Sequence, residues 1–488
     1  MSETLKTFAQ LLAQAPAKSP ALISEYGVMS FAELRQRVEQ SIVALSDCTG
    51  SVAVVGGNHP LWVELYYAVP TAGKLLTLLN HRLSEVELHD QLRRANASIV
   101  IGDDEHLRRL GDDGKAQLFR WDEWAEKRSS VEVATDAITP TDSDAPAWLL
   151  FTSGTTARPK GALLSEANIL AAVAASANAR PVEPDDVYVF PFPLCHVAGY
   201  NVIHRHAHGR PVVLMEKFDA EKFCSAVETY QATSTSVAAT MLATLCEFVE
   251  AHPERKEQLK TLRIVAYGAA PMSTQLLTRA HELLGVDFTQ GYGMTEASGN
   301  AVFLGVEEHR RGLAGDDAIL RAAGRPAPGV EMRLGQDNEI ELKAPQVMLG
   351  YLDDEEATAK TLRAGWLRTG DIGRIEDGLL YVVDRAKDII ITGGENVSSL
   401  EVENALMAHP SVSQVAVIGL PDEKWGEKVC AVVVLQSPAS DEDLKGFVRQ
   451  SLAGFKVPKE IFRVENLPTN AAGKIMKSEL RSIYVGKI

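Results

Sequence analysis

The chain is poor in cysteine, with five in 488 residues, and none of them is spaced as a metal-binding or redox pair. An odd, scattered set argues against a disulfide framework and against a cysteine zinc site, so we expect reduced, mostly structural thiols. Basic residues are also in the minority, at 49 against 65 acidic ones, which gives a formal charge of −16. Because nucleic acids are bound mainly by basic surfaces, this deficit argues against a nucleic-acid partner.

Long hydrophobic runs are absent as well. No stretch approaches the ~18 consecutive apolar residues that cross a bilayer, and residues 1–6 lack the charged-then-apolar pattern that begins a signal peptide. We therefore expect a cytoplasmic protein with no transmembrane segment. The length of the chain predicts more than one domain.

Hydroxyls, glycine and one lysine are concentrated directly after the apolar run 149–151. Glycine lets backbone N–H groups approach phosphate oxygens, hydroxyls donate hydrogen bonds or ligate Mg²⁺, and lysine supplies a positive charge. The segment favours a polyphosphate such as ATP, although its composition alone also fits an ordinary connection. It is not a Walker loop, which argues against a kinase or GTPase. The candidate phosphate-binding residues are Thr152, Ser153, Gly154, Thr155, Thr156 and Lys160.

Six further motifs follow in order: Tyr-Gly-Ala-Ala-Pro at 267–271, Gln-Gly-Tyr-Gly-Met-Thr-Glu at 290–296, Gly-Trp-Leu-Arg-Thr-Gly-Asp at 365–371, Asp-Arg-Ala-Lys-Asp at 384–388, Gly-Gly-Glu-Asn-Val at 393–397 and Asn-Ala-Ala-Gly-Lys at 470–474. With the first segment they resemble the core motifs of the adenylate-forming superfamily, which comprises acyl- and aryl-CoA synthetases, nonribosomal peptide adenylation domains and luciferases. The resemblance runs from about residue 30 to the C-terminus and is greatest to the fatty-acyl and aryl-CoA ligases.

Strand and helix patterns alternate along the chain and indicate an α/β fold. Strands are predicted at 51–55, 212–214, 235–238, 263–267 and 286–289, and helices at 61–72, 220–230 and 274–284, whereas 111–144 has the pattern of an irregular connection. The resemblance implies a large N-terminal domain, residues 1–386, of helix-covered, mostly parallel sheets plus a β-barrel-like subdomain. A small, mobile α+β domain, residues 387–488, follows, with Lys387 at the position of the family's hinge.

The resemblance implies an AMP-forming acid–thiol ligase that uses ATP, Mg²⁺ and coenzyme A. A carboxylate attacks the α-phosphate of ATP, pyrophosphate leaves, and the CoA thiol captures the acyl-adenylate. Because two anions meet in the first step, the site must neutralise charge and hold the reacting groups in line. Thr152 and Glu296 are the expected Mg²⁺ ligands, although outside this family context Glu296 would be an ordinary carboxylate at a helix start.

The same resemblance implies which residues bind the nucleotide. The adenine would stack on Tyr292, beside the other expected nucleotide-binding residues, Gly268, Ala269, Ala270, Gly291, Gly293, Met294 and Thr295. Asp371 would accept hydrogen bonds from the ribose with help from Arg385, although Asp371 equally suits a turn cap. Lys474 would reach the reacting carboxylate and α-phosphate during adenylation, and Gly394 would line the tunnel for the pantetheine of CoA.

His196 resembles the histidine that borders the acyl carbonyl in this family, and we expect it to act as a gate or positioning group. The predicted acyl-binding residues are His196, Val197, Gly199, Val237, Met241, Tyr267 and Gly293. Acetate- and propionate-specific relatives have tryptophan where this chain has Gly293, so we expect an open pocket. It would take a medium- or long-chain fatty acid, or a bulky aromatic or steroid-derived acid, with Tyr200 and Asn201 available to read a polar substituent.

Three histidines, His204, His206 and His208, alternate along the chain, a pattern known in metal sites. No cysteine or carboxylate accompanies them at ligand spacing, and we interpret them as a surface run.

Two positions depart from the family pattern. Ala157 stands where the phosphate loop usually has glycine, and Ala472 stands where threonine usually precedes Gly473. Both predict slower catalysis more than a different reaction. Two alternatives stay open: a ligase that loads a carrier protein, and a catalytically weakened homologue that only binds acyl groups or nucleotides. The oligomeric state is open too, a homodimer included.

Overall fold

The computed structural model describes residues 6–111, 114–133, 142–152, 159–268, 272–385, 388–392, 395–422, 425–470 and 473–485. The chain forms two compact units. The first consists of residues 1–332 and 342–367, and the second of residues 333–341 and 368–488. Among the helices in the described ranges, none is long and apolar enough to span a bilayer.

Helices begin where the sequence supplies a capping side chain. The hydroxyl of Ser30 accepts the backbone N–H of Glu33 at 3.2 Å, and the Glu33 carboxylate accepts the N–H of Ser30 at 2.8 Å, which satisfies two donors that the first helical turn leaves free. In chain order, the helices of the described residues, α1 to α16, are Phe8–Gln14, Phe31–Ala44, Pro60–Thr71, Glu85–Arg94, Asp104–Leu110, Trp121–Ser129, Glu166–Ala179, Tyr200–His206, Ala220–Tyr230, Ala239–Ala251, Thr274–Leu284, Val306–Leu313, Glu355–Thr361, Ser399–Met407, Asp441–Arg449 and Lys477–Val485.

Strands follow the short apolar runs between these helices. In chain order, those of the described residues, β1 to β26, are Pro20–Ser24, Gly27–Ser30, Ser51–Val55, Leu76–Leu78, Ala97–Gly102, Gln117–Arg120, Pro146–Thr152, Lys160–Ser165, Tyr188–Phe190, Val212–Leu214, Ser234–Val237, Ile264–Gly268, Asp287–Met294, Gly299–Leu304, Arg325–Pro326, Glu331–Leu334, Glu339–Lys343, Gly350–Tyr351, Leu362–Arg363, Trp366–Glu376, Leu379–Arg385, Ile390–Thr392, Glu395–Val397, Val412–Asp422, Gly426–Leu435 and Glu460–Arg463.

Two mostly parallel sheets organise the first unit. One has nine strands in the order β15-β14-β13-β12-β11-β9-β10-β1-β2, and the other has seven in the order β18-β8-β7-β4-β3-β5-β6. A single apolar core contains Tyr188 of the first sheet, Trp148 of the second and Trp62 of α3, a helix in which every residue is buried. The expected α/β architecture with helix-covered parallel sheets is therefore confirmed.

The prediction of an irregular connection at 111–144 was wrong for part of that segment. Residues 117–120 form β6, which pairs parallel with β5, and α6 follows at once. Trp124 of α6 is fully buried, and its ring packs edge-on against Phe119 at 5.6 Å between centroids. Most side chains of this segment are polar and lie on its outer face. The few apolar residues that anchor it were therefore too sparse to show a strand or helix pattern in the sequence.

In the second unit, α14 and α15 pack on a five-stranded sheet of order β23-β22-β25-β24, with β26 beside β25. A further five-stranded sheet, of order β16-β17-β20-β19 with β21 beside β20, is formed by strands between residues 331 and 385, and the barrel-like subdomain stays a prediction. Asp384 of β21 accepts the backbone N–H of Ser399 at 2.6 Å and its hydroxyl at 2.7 Å, so β21 is tied to the start of α14. The predicted domain boundary at 386/387 and the hinge at Lys387, which lies outside the described residues, stay predictions.

One buried carboxyl group gives the first unit a pH dependence that can be measured. Glu166, 2% exposed, accepts the backbone N–H of Phe8 at 2.8 Å, and its burial raises its pKa from 4.5 to about 7. The folded state therefore holds a proton that the unfolded state releases near pH 4.5, so this contribution to stability is present below pH 4.5 and is lost as the pH rises through 7.

We expect Glu166→Gln to flatten the fall in melting temperature between pH 5 and 8, an effect on the order of 3 kcal/mol for wild type. Thermal melts across that range would measure it. Glu282→Gln, which changes an exposed carboxylate, is the control. If the melting temperature fell equally with pH in wild type, Glu166→Gln and Glu282→Gln, the raised pKa would not belong to Glu166.

Candidate active site

The ends of β7 and β8 hold the predicted phosphate loop between them. These strands pair antiparallel, and Thr152 lies opposite Lys160 in the register. Both residues are half-buried, and the Thr152 hydroxyl is 3.5 Å from the carbonyl oxygen of Lys160. The other predicted loop residues, Ser153, Gly154, Thr155 and Thr156, and the departure Ala157, lie outside the described residues.

Glu296 meets the phosphate-loop strand through its carboxylate. The hydroxyl of Thr152 donates to Glu296 Oε1 at 3.3 Å, although the two residues are 144 positions apart in the sequence. Carboxylate and hydroxyl oxygens suit a hard cation such as Mg²⁺, which keeps several waters and substrate phosphates among its ligands. The described residues contain no cluster of three or more histidine, cysteine or acidic side chains that could bind a metal alone, so the pair fits an ion that is shared with a bound nucleotide.

Tyr351 is a neighbour of Glu296 that the sequence did not reveal. Its hydroxyl donates to Glu296 Oε1 at 2.9 Å, and the Lys160 ammonium lies 5.1 Å from the centre of its ring. Burial, reinforced by the charge of Glu296, raises the pKa of Tyr351, so it remains a donor at neutral pH. It is the second residue of the short strand β18, Gly350–Tyr351, and belongs to none of the motifs, so no local signal marked it.

Three adjacent parallel strands, β11, β12 and β13, carry predicted nucleotide-binding and acyl-binding residues. These residues lie at the carboxyl ends of the strands, on the same side of the sheet. Val237 pairs with Tyr267, and Gly268 pairs with Gly291 in the next strand. The crevice outside the carboxyl ends of parallel strands is the usual ligand position in α/β sheets. The remaining described residues of this motif, Tyr292, Gly293, Met294 and Thr295, are half-buried, while Ala269 and Ala270 lie outside the described residues.

The hydroxyl of Tyr267, near the end of β12, is hydrogen-bonded within the protein. It lies 2.9 Å from His309 Nε2 and donates to Gln290 Oε1 at 3.2 Å, and the residue is 4% exposed. These contacts fix the ring, and its part in lining an acyl pocket stays a prediction. Met241, in the first turn of α10 just after β11, is half-buried.

The predicted acyl loop is a single turn of 3-10 helix, Val197–Gly199, that starts after His196. His196 and Val197 are half-buried, and Gly199 is buried. A side chain at Gly199 would collide with the hydroxyl of Tyr66, which donates to the carbonyl of Leu194. Glycine is required here by packing against α3, and the acyl-binding role of the turn stays a prediction.

Gly293 has a structural reason that differs from the one predicted. A Cβ atom at this position would lie 2.6 Å from Asn300 Cα and would collide with the carbonyl oxygen of Gly299. The close approach of β14 requires glycine, so its presence is not evidence of an open acyl pocket.

We expect Gly293→Ala to lower thermal stability, by about 2 kcal/mol or more, because strand β14 must shift to admit the methyl group. Gly57→Ala is the control, since a Cβ there has no atom closer than 4.0 Å. A Gly293→Ala protein with an unchanged melting temperature and a raised KM for the acid would instead support the pocket interpretation.

The histidines at 204, 206 and 208 do not form the predicted surface run. His204 and His206 are 0% and 1% exposed, because α8 lies inside the first unit. His206 bonds the Tyr67 hydroxyl at 2.8 Å and the carbonyl of Ala21 at 3.0 Å, and burial lowers its pKa to about 4. His204 and His206 are structural residues of the core, whereas His208 is exposed as predicted.

In the second unit, Asp371 and Arg385 face each other. They are paired residues of β20 and β21, and Arg385 Nε lies 3.4 Å from Asp371 Oδ1. Asp371 is 6% exposed, and its backbone N–H bonds the Thr369 hydroxyl at 3.1 Å. A carboxylate beside the Arg385 guanidinium can also accept hydrogen bonds from ribose hydroxyls. The turn-cap alternative is weaker, because Asp371 lies inside β20.

Lys474 is exposed at the end of a tight turn. Its backbone N–H bonds Asn470 Oδ1 at 2.9 Å, and the N–H of Asn470 bonds the Lys474 carbonyl at 2.8 Å. Gly473, with φ of 77°, provides the left-handed residue of this turn. Ala472, Lys387 and Gly394 lie outside the described residues, so their predicted roles stay predictions.

Several known proteins resemble this chain over most of its length. Residues 8–352 match the AMP-binding enzyme family, and residues 401–474 match its C-terminal domain. A feruloyl-CoA synthase from Amycolatopsis sp is 35% identical over 473 residues, 93% of each chain. The o-succinylbenzoate CoA synthetase from Bacillus subtilis, solved with its acyl-adenylate intermediate, superposes with a TM-score of 0.86 at 30% identity and 97% coverage of both chains.

A third relative extends the range of chemistry. The amide bond synthetase from Marinactinospora thermotolerans has a TM-score of 0.86 at 29% identity, over 98% of this chain and 99% of that one. The ordered motifs, the two-sheet fold and these matches agree with one another. The chain belongs to the AMP-binding enzyme family.

Proposed function

We propose that this AMP-forming acid–CoA ligase acts on an aromatic, or similarly bulky and hydrophobic, carboxylic acid. ATP with Mg²⁺ and coenzyme A are its co-substrates. The observation that carries the proposal is the contact between Thr152 and Glu296, because it joins the two motifs expected to hold Mg²⁺ and the phosphates of ATP. Mg²⁺ at these oxygens would neutralise phosphate charge.

An aromatic acid is favoured over a simple fatty acid by the related proteins and by a buried polar cluster. The feruloyl-CoA synthase and the o-succinylbenzoate synthetase both carry aryl acids in their names. In this chain Arg180, 8% exposed, donates to the Tyr200 hydroxyl at 3.2 Å and to Asn201 Oδ1 at 2.9 Å. It forms no ion pair with a carboxylate among the described residues.

This cluster lies next to the predicted acyl-binding residues. Tyr200 and Asn201 directly follow Gly199, and a Cβ on Gly299 would lie 2.6 Å from the Tyr200 ring. Gly299 is in turn the residue that closely approaches Gly293. A cation in this position would favour an acid with a polar substituent on its hydrophobic body, because a purely aliphatic tail would offer no acceptor to the buried Arg180 Nε, which has no hydrogen-bond partner among the described residues.

The test is a panel of hydroxylated and plain cinnamates, benzoates, and medium- and long-chain fatty acids, with pyrophosphate and CoA thioester both measured. We expect the highest kcat/KM for a substituted aryl acid. We also expect Arg180→Met to lose preference for the polar substituent while retaining turnover of the unsubstituted analogue. Preference for a long-chain fatty acid would contradict the aryl proposal and leave the ligase activity intact.

The acceptor is the second open choice, because the similar amide bond synthetase forms amides. Offering CoA, a phosphopantetheinylated carrier protein and simple amines to the enzyme with its best acid would distinguish the three. We expect the CoA thioester to form fastest. A homodimer stays a prediction for analytical ultracentrifugation.

A further inference from the structure

The first unit contains a cavity of about 620 Å³ beside strands β3, β5 and β6 of the seven-stranded sheet. Strands β7 and β8 lie toward the other end of the strand order. The wall of the cavity is built from the residues that follow β3, β5 and β6, together with α2 and the turn between β1 and β2. Strand β3 is two strands away from β7, about 10 Å at the usual strand spacing. The cavity is therefore distinct from the site that contains Thr152 and Glu296.

The topology places this cavity at a switch point. The chain passes from β3 to its neighbour β4 and then crosses back to β5 on the other side of β3. Where the strand order reverses in this way, the connections leave the two strands in opposite directions and open a crevice at their carboxyl ends. His59 after β3, Asp104 after β5 and Trp121 after β6 line the cavity at this edge.

One wall of the cavity is aromatic. The rings of His59 and Trp121 stack with 5.0 Å between centroids and 3° between planes, and Tyr26 packs edge-on against His59 at 4.4 Å. Burial, followed by the nearby charge of Arg37, lowers the pKa of His59 to about 4, so the ring is neutral at pH 7. Tyr26 is 62% exposed, which leaves a large aromatic group at the cavity mouth.

Four charged residues of the lining, Asp104, Arg120, Asp122 and Arg128, have ion-pair partners. Arg128 pairs with the buried Glu64 at 3.1 Å, Arg120 pairs with Asp122 at 3.2 Å, and Asp104 pairs with Arg108. Arg37 is half-buried, and in the part of the chain that the structure describes it has neither a hydrogen bond nor an ion pair within 4.0 Å. A guanidinium beside an aromatic wall, with no carboxylate in direct contact among the described residues, can bind the charged group of an aromatic anion while the wall binds its ring.

We propose that this cavity binds a small planar aromatic anion, with the anionic group on Arg37 and the ring against the His59 and Trp121 wall. An aryl carboxylate and a nucleoside monophosphate share this chemistry, and the volume is within the usual range for small-molecule sites. The proposal does not depend on the identity of the acid that the enzyme activates.

Fluorine NMR of the full-length protein, labelled with fluorotryptophan, tests the proposal directly. The chain has six tryptophans, and Trp121→Phe assigns the resonance of Trp121. Benzoate, cinnamate, ferulate and AMP are titrated separately. We expect at least one to shift the Trp121 resonance saturably, which also identifies whether an aryl carboxylate, a nucleotide or both are recognised. No saturable shift with any of them up to ~10 mM would overturn the proposal.

Variants at Arg37 separate the cavity from indirect effects of the active site. Arg37→Met should weaken the Kd read at Trp121 by about tenfold or more, and Arg37→Lys should restore part of it by keeping the charge. Arg321→Met, an exposed arginine outside the cavity, is the control. A titration that is unchanged in Arg37→Met, or equally weakened in Arg321→Met, would show that the shift does not report a site at Arg37.

Discussion

Replacement of Lys474 by alanine is expected to slow acyl-adenylate formation by about 100- to 1000-fold, the usual cost of removing one electrostatic contact to a transition state. Adenylation brings a carboxylate to the α-phosphate of ATP, and a cation at that point offsets the repulsion. Lys474 is exposed on a turn closed by Asn470, which presents the side chain without burying it. Capture of the adenylate by a thiol involves no second anionic reactant of this kind.

The two half-reactions must therefore be measured separately. Adenylation is followed by pyrophosphate release, and thioester formation is followed from a presynthesised acyl-adenylate. We expect Lys474→Ala to lower the second rate by less than about tenfold. Lys459→Ala, an exposed lysine of the same unit, should leave both unchanged. Equal losses in both half-reactions, or a loss in neither, would remove Lys474 from the adenylation step.

Replacement of Glu296 by glutamine should slow adenylation by about 100- to 1000-fold and shift the Mg²⁺ requirement to higher concentration. The amide keeps the size of the side chain and an acceptor for the hydroxyls of Thr152 and Tyr351, which lie 3.3 Å and 2.9 Å from Oε1. It removes only the negative charge, so a loss would report charge-dependent metal binding more than packing.

Two comparisons sharpen this test. Tyr351→Phe removes a donor to the same oxygen but keeps the carboxylate, and we expect a loss below about tenfold. Glu355→Gln changes an exposed carboxylate at the start of α13 and should have no effect. An unaltered Mg²⁺ dependence in Glu296→Gln would contradict the metal assignment, whatever its rate.

The helices that were predicted most accurately have clear local sequence patterns. Helices α9 and α11 occupy the predicted ranges 220–230 and 274–284, because each combines an apolar face with a capping side chain, Asp219 and Ser273. The family resemblance implied that Thr152 and Glu296 bind the same Mg²⁺, and their side chains lie in contact. In contrast, α6 was missed, since only its buried Trp124 and a few neighbours are apolar.

The remaining differences come from contacts between distant parts of the chain. Tyr351 lies 55 residues from Glu296 in the sequence, and only the pairing of β18 with β8 brings it near Lys160. Gly293 was assigned to the acyl pocket by analogy, whereas the backbone of β14 explains the glycine. His204 and His206 alternate like surface residues but lie on a helix with both sides covered. Local patterns carry no information about such neighbours.

Exchange of labelled pyrophosphate into ATP tests the central claim most directly. An enzyme that forms an acyl-adenylate catalyses this exchange when ATP, Mg²⁺ and its acid are present, and needs no CoA for it. We predict acid-dependent exchange in the absence of CoA, and AMP as the nucleotide product once CoA is added. Production of ADP and phosphate, or exchange that requires CoA, would contradict the account.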